Sequence, residues 1–258
     1  MIINNFLGGL GNQLFQIAAG FSHASSIGSN FAINYDLGIG FGQGHNPQRY
    51  RNNIYSRIPQ TSKNQFIPYQ EPCFNFSPIP KIDDLCLVGY YQSEKYFSSF
   101  GDEIKKLIFF PNDIKKKIDE KMRFSYKKKI GIHIRLGDYY DEKNKGVFAE
   151  IDIKNYISNA IEFFKDDDVE FLIFSDDFVS LKSKFDVSIF NDLQNSDEIE
   201  DLYSLSQCDG VVISNSSFSW WGAWLGKKKY KVIAPNRWFG PKGPKDYSDI
   251  YKKDWIKI

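Results

Sequence analysis

The chain has 258 residues, 42% of them hydrophobic and 25% charged, an ordinary globular composition with room for one large or two small domains. Its 33 basic and 32 acidic residues leave a net charge of +1, which excludes attraction of the whole molecule to nucleic acid. Three cysteines (Cys73, Cys86 and Cys208) are odd in number and lack metal-ligand spacing, which argues against a disulfide framework, and no stretch approaches the roughly 20 apolar residues of a membrane span. With neither a basic start nor a long apolar run at residues 1–5, no signal peptide is expected and a cytoplasmic location is. The lysine runs at 115–117, 127–129 and 227–229 read as solvated faces, or at most as a weak peripheral contact with the inner face of a membrane.

Residues 2–6 read as a short buried strand followed by the glycine turn Gly8-Gly9-Leu10-Gly11. Leu14, Ile17, Ala18 and Phe21 then recur at helical spacing, and residues 30–35 suggest a second strand. From 38 to 80 the periodicity dissolves into Gly, Pro, Asn, Gln and Tyr, the composition of a long irregular excursion that carries binding loops. Strand character resumes at 85–91, and 113–122 reads as a charged helix. A second α/β unit opens at Lys129, with strands expected at 130–134, 169–174, 187–190, 211–213 and 230–234. Helical faces are set by Tyr156, Ile157, Ala160, Ile161 and Phe164, and by Ile199, Leu202, Tyr203 and Ser206. This alternation predicts an α/β protein with a parallel sheet in each half, the two domains facing across a cleft. The boundary is placed at 125/126, giving domains 1–125 and 126–258.

Three segments carry candidate chemistry. His133-Ile134-Arg135-Leu136-Gly137-Asp138-Tyr139 leaves the carboxyl end of a predicted strand, where open α/β sheets bind ligands. Side-chain alternation puts His133 and Arg135 on one face. The guanidinium fork suits a diphosphate, His133 adds a hydrogen bond, and Asp138 is placed to fix Arg135 or cap the local backbone. The second segment, residues 214–224, sits between a strand and a helix. Ser216, Ser217 and Ser219 with the helix-start N–H groups form an anion-binding concavity, and Phe218 and Trp220 are suited to a flat base or sugar. The third, residues 8–13, lets backbone approach a ligand but does not match the full dinucleotide fingerprint. Asp176 and Asp177 follow a buried strand, where a carboxylate either meets a nucleoside or caps the next helix. No metal-binding motif stands out: His23, His45 and His133 are scattered, and Asp166-Asp167-Asp168 reads as a solvated turn.

Together these segments resemble the bacterial α-1,2-fucosyltransferases. The family pattern H-x-R-R-x-D-Y is similar to residues 133–139, S-N-S-S-F-S-W-W-G-A-W to 214–224, and G-G-L-G-N-Q-L-F-Q to 8–16; residues 89–97 and 235–239 are similar to further family segments. The matches run in order from residue 8 to residue 239, with one departure: Leu136 stands where the pattern has its second arginine. The resemblance implies a GT-B fold with an acceptor-side amino-terminal domain and a nucleotide-sugar-binding carboxy-terminal domain. It implies metal-free inverting transfer of fucose from GDP-fucose, a substrate and not a cofactor, to a galactoside in bacterial glycan or lipopolysaccharide O-antigen synthesis. By the same resemblance, His133 and Arg135 serve the diphosphate, Ser216, Ser217, Phe218 and Ser219 surround the phosphates, Asp176 or Asp177 lies near the nucleoside, and Asn12 reaches the donor. Alternatives are a glycosyltransferase using another GDP-sugar, an S-adenosylmethionine-dependent methyltransferase with Asp36 after its second strand, and a non-catalytic glycan-binding module. No general base stands out; Glu94, Asp36 and water are the candidates.

Overall fold

The computed structural model describes residues 1–40, 44–193, 195–226 and 230–258, the side chains of Phe124, Asp138, Tyr140 and Lys143 excepted. The chain forms two compact units. The first comprises Met1–Pro111 with Asp246–Lys252, and the second Asn112–Lys245 with Lys253–Ile258. This division departs from the 125/126 boundary in two places, each with a polar cause. The helix at 112–121 stays with the second unit because Lys117 pairs with Glu200 at 2.5 Å and Tyr203 donates to Asp119 at 3.1 Å. Residues 246–252 return to the first unit, where Asp249 pairs with Lys95 at 2.6 Å and Lys252 with Glu94 at 2.5 Å.

The first unit contains β1 (Ile3–Asn5), α1 (Leu10–Ser26), β2 (Ile67–Gln70), β3 (Leu85–Val88) and α2 (Gly101–Leu107). The strands form a parallel sheet in the order β1-β3-β2. Helix α1 buries Leu14, Ile17 and Ala18 at the predicted spacing. Its buried Gln16 brackets Leu7 from both sides, accepting from its N–H at 3.0 Å and donating to its carbonyl at 2.8 Å, and so fixes the loop between β1 and α1. Residues 30–35 make only single parallel bridges, Phe31 to Ile2 and Ile33 to Gln60. The strand is cut short because the Asn34 side chain accepts from Asp36 N and caps a turn of 3-10 helix at Tyr35–Leu37. Conversely, β2 lies inside the segment expected to be irregular. It is a largely exposed edge strand containing Pro68, so neither alternation nor β-propensity marked it.

The second unit contains α3 (Asn112–Lys121), β4 (Lys128–Ile134), α4 (Ile153–Glu162), β5 (Val169–Ser175), α5 (Phe178–Lys184) and α6 (Glu198–Gln207), then β6 (Gly210–Val212), α7 (Ser217–Trp224), β7 (Val232–Ala234) and β8 (Ile256–Lys257). All five strands are parallel, in the order β5-β4-β6-β7-β8. Ile130, Ile132 and Ile134 alternate into a core shared with Ile157, Ala160 and Phe164, each such buried side chain contributing about 1.5–3 kcal/mol. Asp152, Asp177 and Asp197 cap α4, α5 and α6, each accepting from first-turn N–H groups. Residues 187–190 form no strand: Asp186 accepts from Ser188 N at 2.9 Å and turns the chain, leaving one bridge from Asn191 to Leu172. No described helix is long and apolar enough to cross a membrane. Of the lysine runs, Lys127 pairs with Asp168 and the neighbouring Lys231 with Asp167, while 227–229 lies outside the described residues.

Candidate active site

In the second unit β4 starts the sheet and its neighbours are β5 on one side and β6 on the other. Chain direction across the sheet therefore reverses at the β4/β6 boundary, the point where doubly wound sheets open a crevice at their carboxyl ends. An open pocket lies there, lined among others by Arg135, Tyr139, Phe148, Glu150, Ser214 and Asn215.

His133 is buried on the face opposite the Ile130–Ile134 core residues, with its ring 5.3 Å from that of Phe218. Its Nδ1 shares a hydrogen bond of 3.1 Å with Ser214 Oγ. Burial first, and the Arg135 charge second, push the imidazole down to about 3, so the ring is neutral at physiological pH. It therefore brings no positive charge to a diphosphate. Linkage gives this a sign: the folded pKa lies below the unfolded value near 6.5, so stability is full above that value and is lost as pH falls towards 3. Between pH 7 and 4.5 the wild type should lose about 2–3 kcal/mol more than His133→Phe, read from urea unfolding at both pH values. Equal losses would show that the imidazole titrates normally.

Arg135 Nη1 pairs with Asp176 Oδ2 at 3.1 Å, and its guanidinium lies 5.6 Å from the centre of the Tyr139 ring. The other carboxylate oxygen, Oδ1, accepts from Leu136 N at 2.8 Å. The Leu136 side chain is buried in the apolar cluster around Ile134 and Ile153. Residues 137–140 form a turn of 3-10 helix; the Asp138 side chain lies outside the described residues. Tyr139 stacks flat on Phe148, centroids 3.8 Å apart and planes 2° apart, and its hydroxyl donates to the Asn215 carbonyl at 2.8 Å. The Asn215 amide in turn donates to the carbonyls of Ala149 and Trp238 at 3.0 and 2.9 Å. One asparagine thus ties three loops around the pocket.

Helix α7 begins beside this crevice. Ser216 is its N-cap but makes no side-chain capping bond, and Ser219 Oγ donates back to the Ser216 carbonyl at 3.1 Å. No carboxylate stands in its first turn, so the helix start presents partial positive charge. Ser217 and Phe218 are half-buried there. Trp220 is fully buried against Trp221, Trp224 and Trp255, which corrects its expected role as a ligand platform: it is core. The two aspartates after β5 also separate. Asp177 accepts from Ser180 N at 2.9 Å and Ser180 Oγ at 2.6 Å, bonds that hold its carboxyl below the usual range, so it caps α5.

The first unit supplies a separate cluster. Asn12, in the opening turn of α1, accepts from Gln92 Nε2 at 2.6 Å. Gln92 follows a turn that Glu71 pins by accepting from Tyr90 N at 2.7 Å and Tyr91 N at 3.0 Å. Burial raises the Glu71 carboxyl to about 7. Glu94 is held by Lys252. Sequence reasoning missed Glu71, which lies in the aperiodic stretch, and gave no role to Ser214, Asn215, Tyr139 or Phe148. The signal for the first three was their place inside the quoted motifs; nothing marked Phe148.

The profile of glycosyl transferase family 11 matches residues 47–258. Over its whole length the chain is 27% identical to 99% of an alpha-1,2-colitosyltransferase of Escherichia coli. It is also 27% identical to a galactoside 2-alpha-L-fucosyltransferase of Caenorhabditis elegans, over 87% of this chain and 68% of that one. Among solved structures, the fucosyltransferase NodZ from Bradyrhizobium superposes on 87% of this chain and 93% of its own, with a TM-score of 0.53 at 15% identity. NodZ has also been co-crystallized with GDP. The likeness establishes a GT-B fold, with which the two parallel sheets agree.

Proposed function

The chain belongs to glycosyl transferase family 11, and from that premise we propose that it moves L-fucose from GDP-fucose to a galactoside hydroxyl in an α-1,2 linkage, with inversion and without a metal ion. One observation carries the donor half of this reading: Arg135, oriented by Asp176, stands at the switch-point pocket of a unit whose α7 start has no capping carboxylate. The acceptor hydroxyl oxygen attacks the anomeric carbon from the face opposite GDP, the bond to the β-phosphate oxygen breaks, and the hydroxyl proton passes to water. Negative charge grows on the leaving diphosphate, and a guanidinium and helix-start N–H groups counter it in place of a cation. A neutral His133 fits the same scheme by positioning Ser214 and Phe218, with Arg135 supplying the charge.

The colitosyltransferase relative favours a second reading, transfer of a colitosyl group, the 3-deoxy counterpart of fucosyl, from its GDP-sugar. Both readings meet in one assay. Purified protein is incubated with GDP-fucose or GDP-colitose and a panel of β-galactosides in excess chelator, and the product linkage is determined by NMR. Fucose on O2 of galactose in the α configuration is the expected result. Transfer from GDP-colitose alone would move the donor to the second reading, and loss of activity restored only by magnesium or manganese would sink the metal-free scheme.

A further inference from the structure

We infer that Asp176 is the positioning residue of Arg135 and not a contact of the nucleoside, an inference that rests on the proposed GDP-sugar reading. The parallel register pairs Ile134 with Ser175, so Arg135 and Asp176 are the next step beyond the ladder, one on each strand end. Both oxygens of the carboxylate are committed within that step. Oδ2 takes the Arg135 guanidinium at 3.1 Å and Oδ1 takes the N–H of Leu136, the residue that follows it, at 2.8 Å. A single side chain thereby fixes the arginine at its tip and at its backbone. Gly137 completes the arrangement: a Cβ there would lie 2.4 Å from Asp176 Oδ2, the oxygen that pairs with Arg135, so any larger residue forces that oxygen to shift. The glycine of the motif is thus explained by the acid of the neighbouring strand.

Positioning and nucleoside contact predict different ligand profiles. Arg135 serves the β-phosphate in the proposed reading, so a residue that orients it matters for GDP and not for GMP. A nucleoside contact matters equally for both. Calorimetry with GDP and GMP on Asp176→Asn should show the GDP/GMP affinity ratio falling about tenfold, the scale of one charge-assisted hydrogen bond, with GMP affinity unchanged. Gly137→Ala, which displaces the carboxylate and alters no charge, should give the same profile and guards against misfolding of the first variant. In an Arg135→Ala background, Asp176→Asn should change neither affinity further. Equal weakening of GDP and GMP, or an unchanged ratio in both Asp176→Asn and Gly137→Ala, would overturn the inference. Wild-type protein that binds neither nucleotide would overturn the donor reading and this inference with it, whereas failure in the variants alone leaves the donor reading standing.

Discussion

Arg135→Ala is expected to lower kcat for transfer from GDP-fucose by about 10²–10³-fold, the usual scale for deleting one preorganised donor to a developing negative charge. The sugar carries no charge in the ground state, and its diphosphate gains negative charge only as the glycosidic bond breaks. A guanidinium beside it therefore interacts more strongly in the transition state than with bound donor, and such interactions act on kcat. Donor KM should change far less. Arg135→Lys should stay badly impaired although it keeps the charge. An ammonium cannot reproduce the planar two-bond grip that a guanidinium makes on a carboxylate or phosphate. Steady-state kinetics on folded variants decide the matter. A variant that raises only KM, with kcat intact, would make Arg135 a uniform binder and remove the charge-stabilising mechanism.

Much of this site was legible in the sequence because its parts occupy strand ends. His133 and Arg135 follow from alternation along an apolar run, and the serine-rich segment follows from its place between strand and helix. The parallel sheet of the second unit announced itself through apolar runs separated by amphipathic helices, since strands buried on both faces need them. What was not legible is who pairs with whom. Nothing in the sequence distinguishes Asp176 from Asp177, yet one holds Arg135 and its neighbour caps α5, because successive residues at a strand exit point in different directions. Trp220 shows the opposite failure: its composition suits a ligand platform, and only the packing of Trp221, Trp224 and Trp255 around it reveals core. Glu71 and β2 escaped for a third reason. An exposed edge strand with a proline lacks the periodicity that sequence reading depends on, and a carboxylate whose partners are backbone N–H groups leaves no trace in side-chain pattern.

Leu136→Arg, which restores the second arginine of the family pattern, is expected to destabilise the protein by about 3–5 kcal/mol, the cost of placing an unpaired charge in an apolar core. Strand alternation already turns this side chain away from Arg135, and the structure buries it among Ile134, Ile153 and Leu181 in the core cluster of the second unit. Only 2% of Leu136 is exposed. At roughly 2–4 °C per kcal/mol for a domain of this size, the melting temperature should fall by about 6–20 °C. The backbone N–H of Leu136 still reaches Asp176 whatever side chain follows it, so Arg135 keeps its anchor and kcat per folded molecule should change much less than in Arg135→Ala. Leu136→Met conserves volume without charge and should cost less than about 1.5 kcal/mol, which separates burial of charge from change of shape. Thermal melts and urea unfolding of the three proteins, beside kcat on the folded fraction, test both halves. If Leu136→Arg melts with the wild type and turns over faster, its guanidinium has left the core for the diphosphate, and the core assignment of residue 136 fails.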